Sequence, residues 1–289
     1  MFGLILLLLL QSEAILKVRT EQVLLHVTVA DERKRPVKDL RAEDFELYED
    51  GKRQSIEYFS DKPEPLSLGL VIDTSGSMRY RLKLAVRAAM LLLENCSAED
   101  EVFVVEIKDR PQLLSGFTSA ADAKRFLEDV VAVGGTALLD ALLFAATYAQ
   151  ENSANSRKVL VVFSDGDDRQ STTELQQLAE RLRYFDIQLY LVCLPEGYVF
   201  ADGMLLATAT RSHKLMKRMA EESGGQVYFP MSVSALEGYV LDILQTLRGQ
   251  YTLGYEPTTL ETGWHRISVK VRNRRLNVHT RAGYFRKGA

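Results

Sequence analysis

Hydrophobic positions follow two rhythms along this chain. Near the start, Val23, Leu25, Val27 and Val29 alternate with His26 and Thr28, the period of a half-buried strand. Phe45-Glu46-Leu47-Tyr48 continues it, and Asp50-Gly51 suits a hairpin turn before Ile56 and Tyr58 resume the pattern. Residues 17–60 therefore read as antiparallel β. The rhythm changes after the proline-marked linker Asp61-Lys62-Pro63-Glu64-Pro65. Leu68–Ile72 is a continuous apolar run, followed by a helical face of Leu82, Ala85, Val86, Ala89, Leu92 and Leu93. Further apolar runs at 102–107, 159–163, 187–194 and 227–229 are separated by helical patterns near 120–131, 137–150, 172–184, 213–223 and 233–248. Strands without alternation, separated by helices, predict a parallel sheet covered on both faces. Residues 66–248 thus form a doubly wound, Rossmann-like α/β domain.

Past Gln250 the period of two returns in Tyr251, Leu253 and Tyr255, in Ile267, Val269 and Val271, and in Leu276, Val278 and Thr280, with Asn273-Arg274-Arg275 as a turn. Neither β piece is large enough to bury a core alone. Residues 17–60 and 250–286 are therefore expected to pair as one small β-sandwich with the α/β domain inserted between them.

Composition narrows the function. Of 289 residues, 46% are apolar and 26% charged, the balance of a globular protein. A net charge of −3 gives no general attraction to nucleic acid. Lys270 and Arg272 in the basic C-terminal stretch alternate with Val269 and Val271, as on the solvated face of a strand. Cys96 and Cys193 form no metal-binding or redox spacing and read as inert core thiols. The apolar run Phe2–Leu10 is far shorter than the ~20 residues of a membrane-spanning helix. It precedes Gln11-Ser12-Glu13-Ala14, with small residues where a signal peptidase reads, so residues 1–14 are expected to be a secretory signal. The expected location is outside the cytoplasm: periplasm, cell envelope or medium. No other segment is apolar enough for a membrane anchor.

The chemistry concentrates in three loops, each after an apolar strand: Asp73-Thr74-Ser75-Gly76-Ser77-Met78, Gly134-Gly135-Thr136, and Ser164-Asp165-Gly166. In an open α/β sheet, ligands gather at the carboxyl ends of the strands, where such loops converge. Asp73, Ser75, Ser77, Thr136 and Asp165 would bring two carboxylates and three hydroxyls together. Oxygen-only donors select a hard cation; Mg²⁺ suits a site with few carboxylates, and Mn²⁺ also fits. Hydroxyl ligands reduce the charge of such a metal very little, so an open position on it favours an anion.

An Asp-x-Ser-x-Ser loop after an apolar strand, a Gly-Gly-Thr loop and a later Ser-Asp-Gly together resemble the von Willebrand factor A domain and its metal-ion-dependent adhesion site. The resemblance covers residues 66–248. It implies that Ser75, Ser77 and Thr136 touch the metal, that Asp73 and Asp165 act directly or through water, and that an Asp or Glu of a protein partner completes the shell. The flanks, Asp44-Phe45-Glu46-Leu47-Tyr48-Glu49-Asp50-Gly51, Gln250-Tyr251-Thr252-Leu253-Gly254-Tyr255 and Arg281-Ala282-Gly283-Tyr284, are similar to those of bacterial von Willebrand factor A-related proteins.

Taken singly, these residues have plainer readings: Asp, Ser and Thr cap helices, and Asp-Gly makes turns. Asp140 is expected to answer its own helix dipole, Asp167 and Asp168 to be a solvated turn, and Pro195–Ser212 to be a candidate specificity loop. Enzymatic alternatives fare worse. A Mg²⁺-dependent phosphatase of the Asp-x-Asp type needs a second acid where Ser75 stands. A serine hydrolase needs a Gly-x-Ser-x-Gly frame and a histidine, but His26, His213, His265 and His279 lie outside the three loops. The sequence therefore predicts a non-catalytic, metal-dependent protein-binding module. An intracellular adaptor carrying the same domain is the alternative.

Overall fold

The computed structural model of the chain describes residues 22–33, 35–194, 211–259, 261–273 and 275–286. The expected signal at residues 1–14 and nearly all of the 195–212 segment lie outside the described residues. The N-terminal strands are β1 (Val23–Ala30), β2 (Phe45–Glu49), β3 (Lys52–Gln54) and β4 (Tyr58–Ser60). Asp50 and Gly51, between β2 and β3, have φ of 48° and 79°, the left-handed pair a tight hairpin turn requires. The central domain runs β5 (Leu66–Asp73), α1 (Leu82–Glu94), β6 (Glu101–Ile107), β7 (Gln112–Thr118), α2 (Ala120–Ala123), α3 (Arg125–Glu128) and α4 (Leu138–Asn152). It continues through β8 (Arg157–Ser164), α5 (Leu175–Tyr184), β9 (Ile187–Cys193), α6 (Arg211–Glu222), β10 (Gln226–Tyr228) and α7 (Val233–Arg248). Four strands close the chain: β11 (Tyr251–Tyr255), β12 (Gly263–Val271), β13 (Asn277–His279) and β14 (Gly283–Arg286).

The chain ends interleave. One four-stranded sheet has the order β13-β1-β11-β4 and the other β14-β12-β2-β3, so each contains strands from both ends. Leu25 lies opposite Leu253, and Leu47 opposite Val269. Between the sheets the alternating side chains meet in one core that includes Val27, Phe45, Leu47, Tyr251, Leu253 and Val269. The turn after β12 does not fold it back on β13. It carries the chain across the sandwich, because β13 pairs with β1 in the opposite sheet.

The inserted domain has the strand order β10-β9-β8-β5-β6-β7, with β7 antiparallel to β6. The sheet is therefore mixed rather than wholly parallel. Residues of β7 are exposed or half-buried throughout, so no apolar run marked this edge strand in the sequence. All eight residues of β5 are buried, with Leu68 and Leu70 facing α1 and α7 and Val71 facing α4. Gly69 passes so close to Phe103 and Leu160 that a Cβ would overlap them. From β5 the chain proceeds through α1 to β6 on one side, while β8 lies on the other. The carboxyl end of β5 is thus the topological switch point, where open α/β sheets bind ligands. The two units are joined by polar contacts, including Arg281 with Asp186 at 2.7 Å and the Ala282 N–H donating to the Glu222 carbonyl at 2.9 Å. Among the described residues no helix is long and apolar enough to cross a membrane.

Candidate metal centre

Asp73 is the last residue of β5, and its side chain is fully buried at the switch point. Backbone geometry follows from the polar residues after it: the Ser75 N–H donates to Asp73 Oδ1 at 2.9 Å, closing the loop on the carboxylate. The Ser75 and Ser77 hydroxyls are 3.0 Å apart. The second loop is tied to the first by the Gly76 N–H to the Gly134 carbonyl (3.0 Å) and the Val133 N–H to the Thr74 carbonyl (2.8 Å). The third is tied to both. Ser164 Oγ donates to Asp73 Oδ2 at 2.6 Å, and the Thr136 carbonyl accepts from Arg169 and Gln170 N–H at 3.0 Å each. Asp73, Ser75, Thr136 and Asp165 are all buried, and Ser77 is half-buried.

Burial pushes the Asp73 carboxyl above the ordinary carboxylate range, hydrogen bonds from Ser164 and Ser75 oppose the rise, and the Asp165 charge adds to it. Asp165 Oδ2 is buried and accepts no hydrogen bond from a described residue. Its neighbouring charge is Arg81, whose Nη2 lies 3.5 Å away. Arg81 also donates to the Ser77 and Leu194 carbonyls at 2.6 Å each. A buried carboxylate oxygen without a donor is costly unless something else fills the role. The donor set, two carboxylates and hydroxyls at a switch point, fits a hard divalent cation.

Two residues here escaped the sequence reading. Ser164 stands in the quoted Ser-Asp-Gly run, but its bond to Asp73 crosses 91 positions. Arg81 carries no sequence signal, since the Leu194 carbonyl and the Asp165 carboxylate that it meets lie on distant loops. The expectations for nearby acids change. Asp140 accepts from the Thr172 and Thr173 N–H groups at 3.1 and 2.8 Å, clamping the loop before α5 instead of simply answering its own helix. Asp168 is not merely solvated: it accepts from the Leu138 N–H at 2.9 Å and caps α4. Asp167 pairs with Arg169 at 3.0 Å. Cys193 is buried and Cys96 half-buried, both free, and burial pushes both thiols up to about 12, so they stay unreactive.

A second polar group, Glu49, Asp50 and His265, lies in the sandwich. His265 Nδ1 is 2.7 Å from Asp50 Oδ2 and 3.4 Å from Glu49 Oε1, while Nε2 is 2.9 Å from the Glu261 carbonyl. Burial opposes charge on the ring, but these acceptors outweigh it and raise the His265 pKa above its ordinary value. With acceptors at both nitrogens, the group is satisfied by a proton.

A doubly wound sheet with an all-oxygen cleft at its switch point defines the class of protein. Residues 68–167 match the sequence profile of the von Willebrand factor type A domain, so this part of the chain is a domain of that type. Inter-alpha-trypsin inhibitor heavy chain H2 of Homo sapiens is 31% identical over 172 residues, which is 54% of this chain and 18% of that protein. Heavy chain H4 of Homo sapiens is 25% identical over 211 residues, 68% of this chain and 22% of that protein. The chain therefore spans 18% to 22% of the length of these relatives. The solved von Willebrand factor type A structure from Catenulispora acidiphila shares the fold, with a TM-score of 0.52 and 12% identity over 93% of this chain and 74% of that one. Domains of this family generally mediate protein–protein interaction and adhesion, commonly bind a divalent metal and are generally non-catalytic.

Proposed function

We propose that this chain is a non-catalytic protein-binding module that uses Mg²⁺, or Mn²⁺, to capture an Asp or Glu carboxylate of a partner. Asp73, Ser75, Ser77, Thr136 and Asp165 hold the ion. The observation that carries the reading is Asp165 Oδ2, a buried carboxylate oxygen that accepts no hydrogen bond from a described residue, with the Arg81 guanidinium 3.5 Å away, set beside Asp73 in a cleft of hydroxyls. Bound there, the cation supplies an electrophilic position that an anionic side chain completes.

The chain's own residues favour that outcome. Ser164 and the Ser75 amide fix the Asp73 carboxylate from two sides. Arg81 offsets part of the charge of Asp165. Two carboxylates, one guanidinium and a dication leave the loaded site with a net positive charge, which favours an anion. The four histidines lie outside the three loops in the sequence, so none of these loops carries a histidine base for its own hydroxyls. The leader pattern at residues 1–14 supports an exported protein, in which such a module would meet partners in the periplasm, cell envelope or medium.

The test is capture of the partner from the protein's own source in Mg²⁺. EDTA should release it and added Mg²⁺ restore it. Thr136→Ala, which removes one hydroxyl without changing charge, should weaken capture. A partner that stays bound in EDTA and ignores Thr136→Ala would place recognition elsewhere on the surface.

A further inference from the structure

The three most exposed large apolar side chains among the described residues are Tyr80 (88%), Val131 (64%) and Val133 (56%). All three belong to segments that build the cleft. Tyr80 follows the short turn Gly76–Met78 of the first loop. Val131 and Val133 lead into Gly134-Gly135-Thr136, and the Val133 N–H is bonded to the Thr74 carbonyl of the first loop. Val130 and Ala132 pack against the core, whereas Val131 and Val133 face outward. The inward pair has a folding reason. The outward pair has none, because any small polar residue would serve an extended stretch there.

Charged residues stand in the same loops and in the neighbouring turn between β6 and β7. Asp109, in the turn between β6 and β7, accepts from the Gly135 N–H at 2.8 Å, and Asp168 caps α4, so these carboxylates are engaged by backbone. Arg79 beside Tyr80 and Arg110 beside Asp109 are exposed, and neither side chain makes an ion pair or hydrogen bond with a described residue. The cleft thus has an apolar rim with two uncompensated guanidiniums.

We propose that this rim selects what the metal captures: an extended protein segment whose metal-seeking Asp or Glu is followed or preceded by an aromatic or aliphatic residue, with further acidic character for Arg79 and Arg110. The proposal rests on the metal-dependent capture described above and names its ligand class. Tyr80, Val131 and Val133 lose water on contact with the apolar neighbour, which a bare carboxylate cannot offer.

The test is selection from a random peptide library displayed on phage, panned on the full chain in Mg²⁺ and eluted with EDTA. The expected sequences share an acidic residue within two positions of an aromatic or aliphatic one. The strongest of them, synthesised, should bind Tyr80→Ser or Val133→Ser about tenfold more weakly by fluorescence anisotropy, and Arg79→Ala/Arg110→Ala should lose its salt-dependent part. Mg²⁺ affinity measured by calorimetry without peptide should be unchanged in Tyr80→Ser and Val133→Ser. EDTA-eluted acidic peptides with no apolar neighbour, or equal peptide affinity in the variants, would overturn the rim proposal and leave the metal reading standing. Absence of any EDTA-eluted peptide would remove both. A Mg²⁺-dependent dimer in sedimentation, abolished by Tyr80→Ser, would put a second copy of the chain on the rim instead.

Discussion

Ser164→Ala separates the metal site from the fold that carries it. Ser164 Oγ donates to Asp73 Oδ2 at 2.6 Å and accepts from the Gly166 N–H at 3.0 Å, and Asp73 is fully buried. Deleting the hydroxyl removes a charge-assisted bond and leaves a buried carboxylate oxygen without that donor, which costs about 1–3 kcal/mol. Burial already pushes the Asp73 carboxyl up, so losing a bond that opposes the rise strengthens proton competition with a cation. Groups that orient metal ligands from behind typically contribute about 10–100-fold in metal affinity, or about 1.4–2.7 kcal/mol. Urea unfolding with and without saturating Mg²⁺ reads both quantities, because an ion that binds only the folded chain adds RT ln(1 + [Mg²⁺]/Kd) to stability. The variant should be less stable in EDTA and should gain less from Mg²⁺ than the parent. Lower stability in EDTA with an unchanged gain from Mg²⁺ would show that Asp73 orientation does not bear on ion binding, and would refute the argument.

Two histidines should act in separate pH windows. Burial, reinforced by the Arg157 charge, lowers the His26 pKa from 6.5 to about 4. The unfolded chain then binds the proton first, so stability falls as pH drops from 6.5 towards 4, by at most about 3 kcal/mol. His26→Gln should flatten that slope in urea titrations; an unchanged slope would dismiss His26 as its cause. His265 has the opposite sign: its raised pKa stabilises the fold fully below pH 6.5 and is lost as pH rises through the folded value. His265→Gln should therefore remove a loss of stability that sets in as pH rises above 6.5, and leave the acid slope alone. Ending the chain at Arg248 removes β11 to β14, and with them half of the twelve buried residues of the sandwich core. The truncated protein should aggregate or bind a hydrophobic dye strongly, and a soluble form with undisturbed N-terminal strands would contradict the shared sandwich.

What the sequence disclosed was whatever leaves a local periodic trace. Continuous apolar runs marked the buried strands, β5 among them, and alternation marked both ends of the sandwich. Four of the five proposed ion-holding residues were visible because they end or follow the runs of β5 and β8, where a polar residue is not needed by the sheet; Thr136 stands instead in the Gly-Gly-Thr loop between α3 and α4. Long-range partners left no trace. Nothing near Asp140 announces that it will receive amides from Thr172 and Thr173, and nothing around Arg81 announces Asp165. The helix expected at 120–131 ends at Glu128 as two short pieces, because Val130 to Val133 runs extended beside the first loop and turns Val131 and Val133 outward. Strand β7 was hidden for a related reason: an edge strand with no fully buried residue lacks the apolar run that periodicity detects.

Mn²⁺ titration followed by electron paramagnetic resonance addresses the central claim without requiring any partner. The parent chain at neutral pH should bind a single Mn²⁺ that Mg²⁺ displaces. Asp73→Asn and Asp165→Asn should each lose it while keeping a cooperative unfolding transition, since the sheet core is apolar and independent of both carboxylates. A bound Mn²⁺ whose affinity is the same in both variants, or a parent chain that binds none, would contradict metal-dependent capture at this cleft.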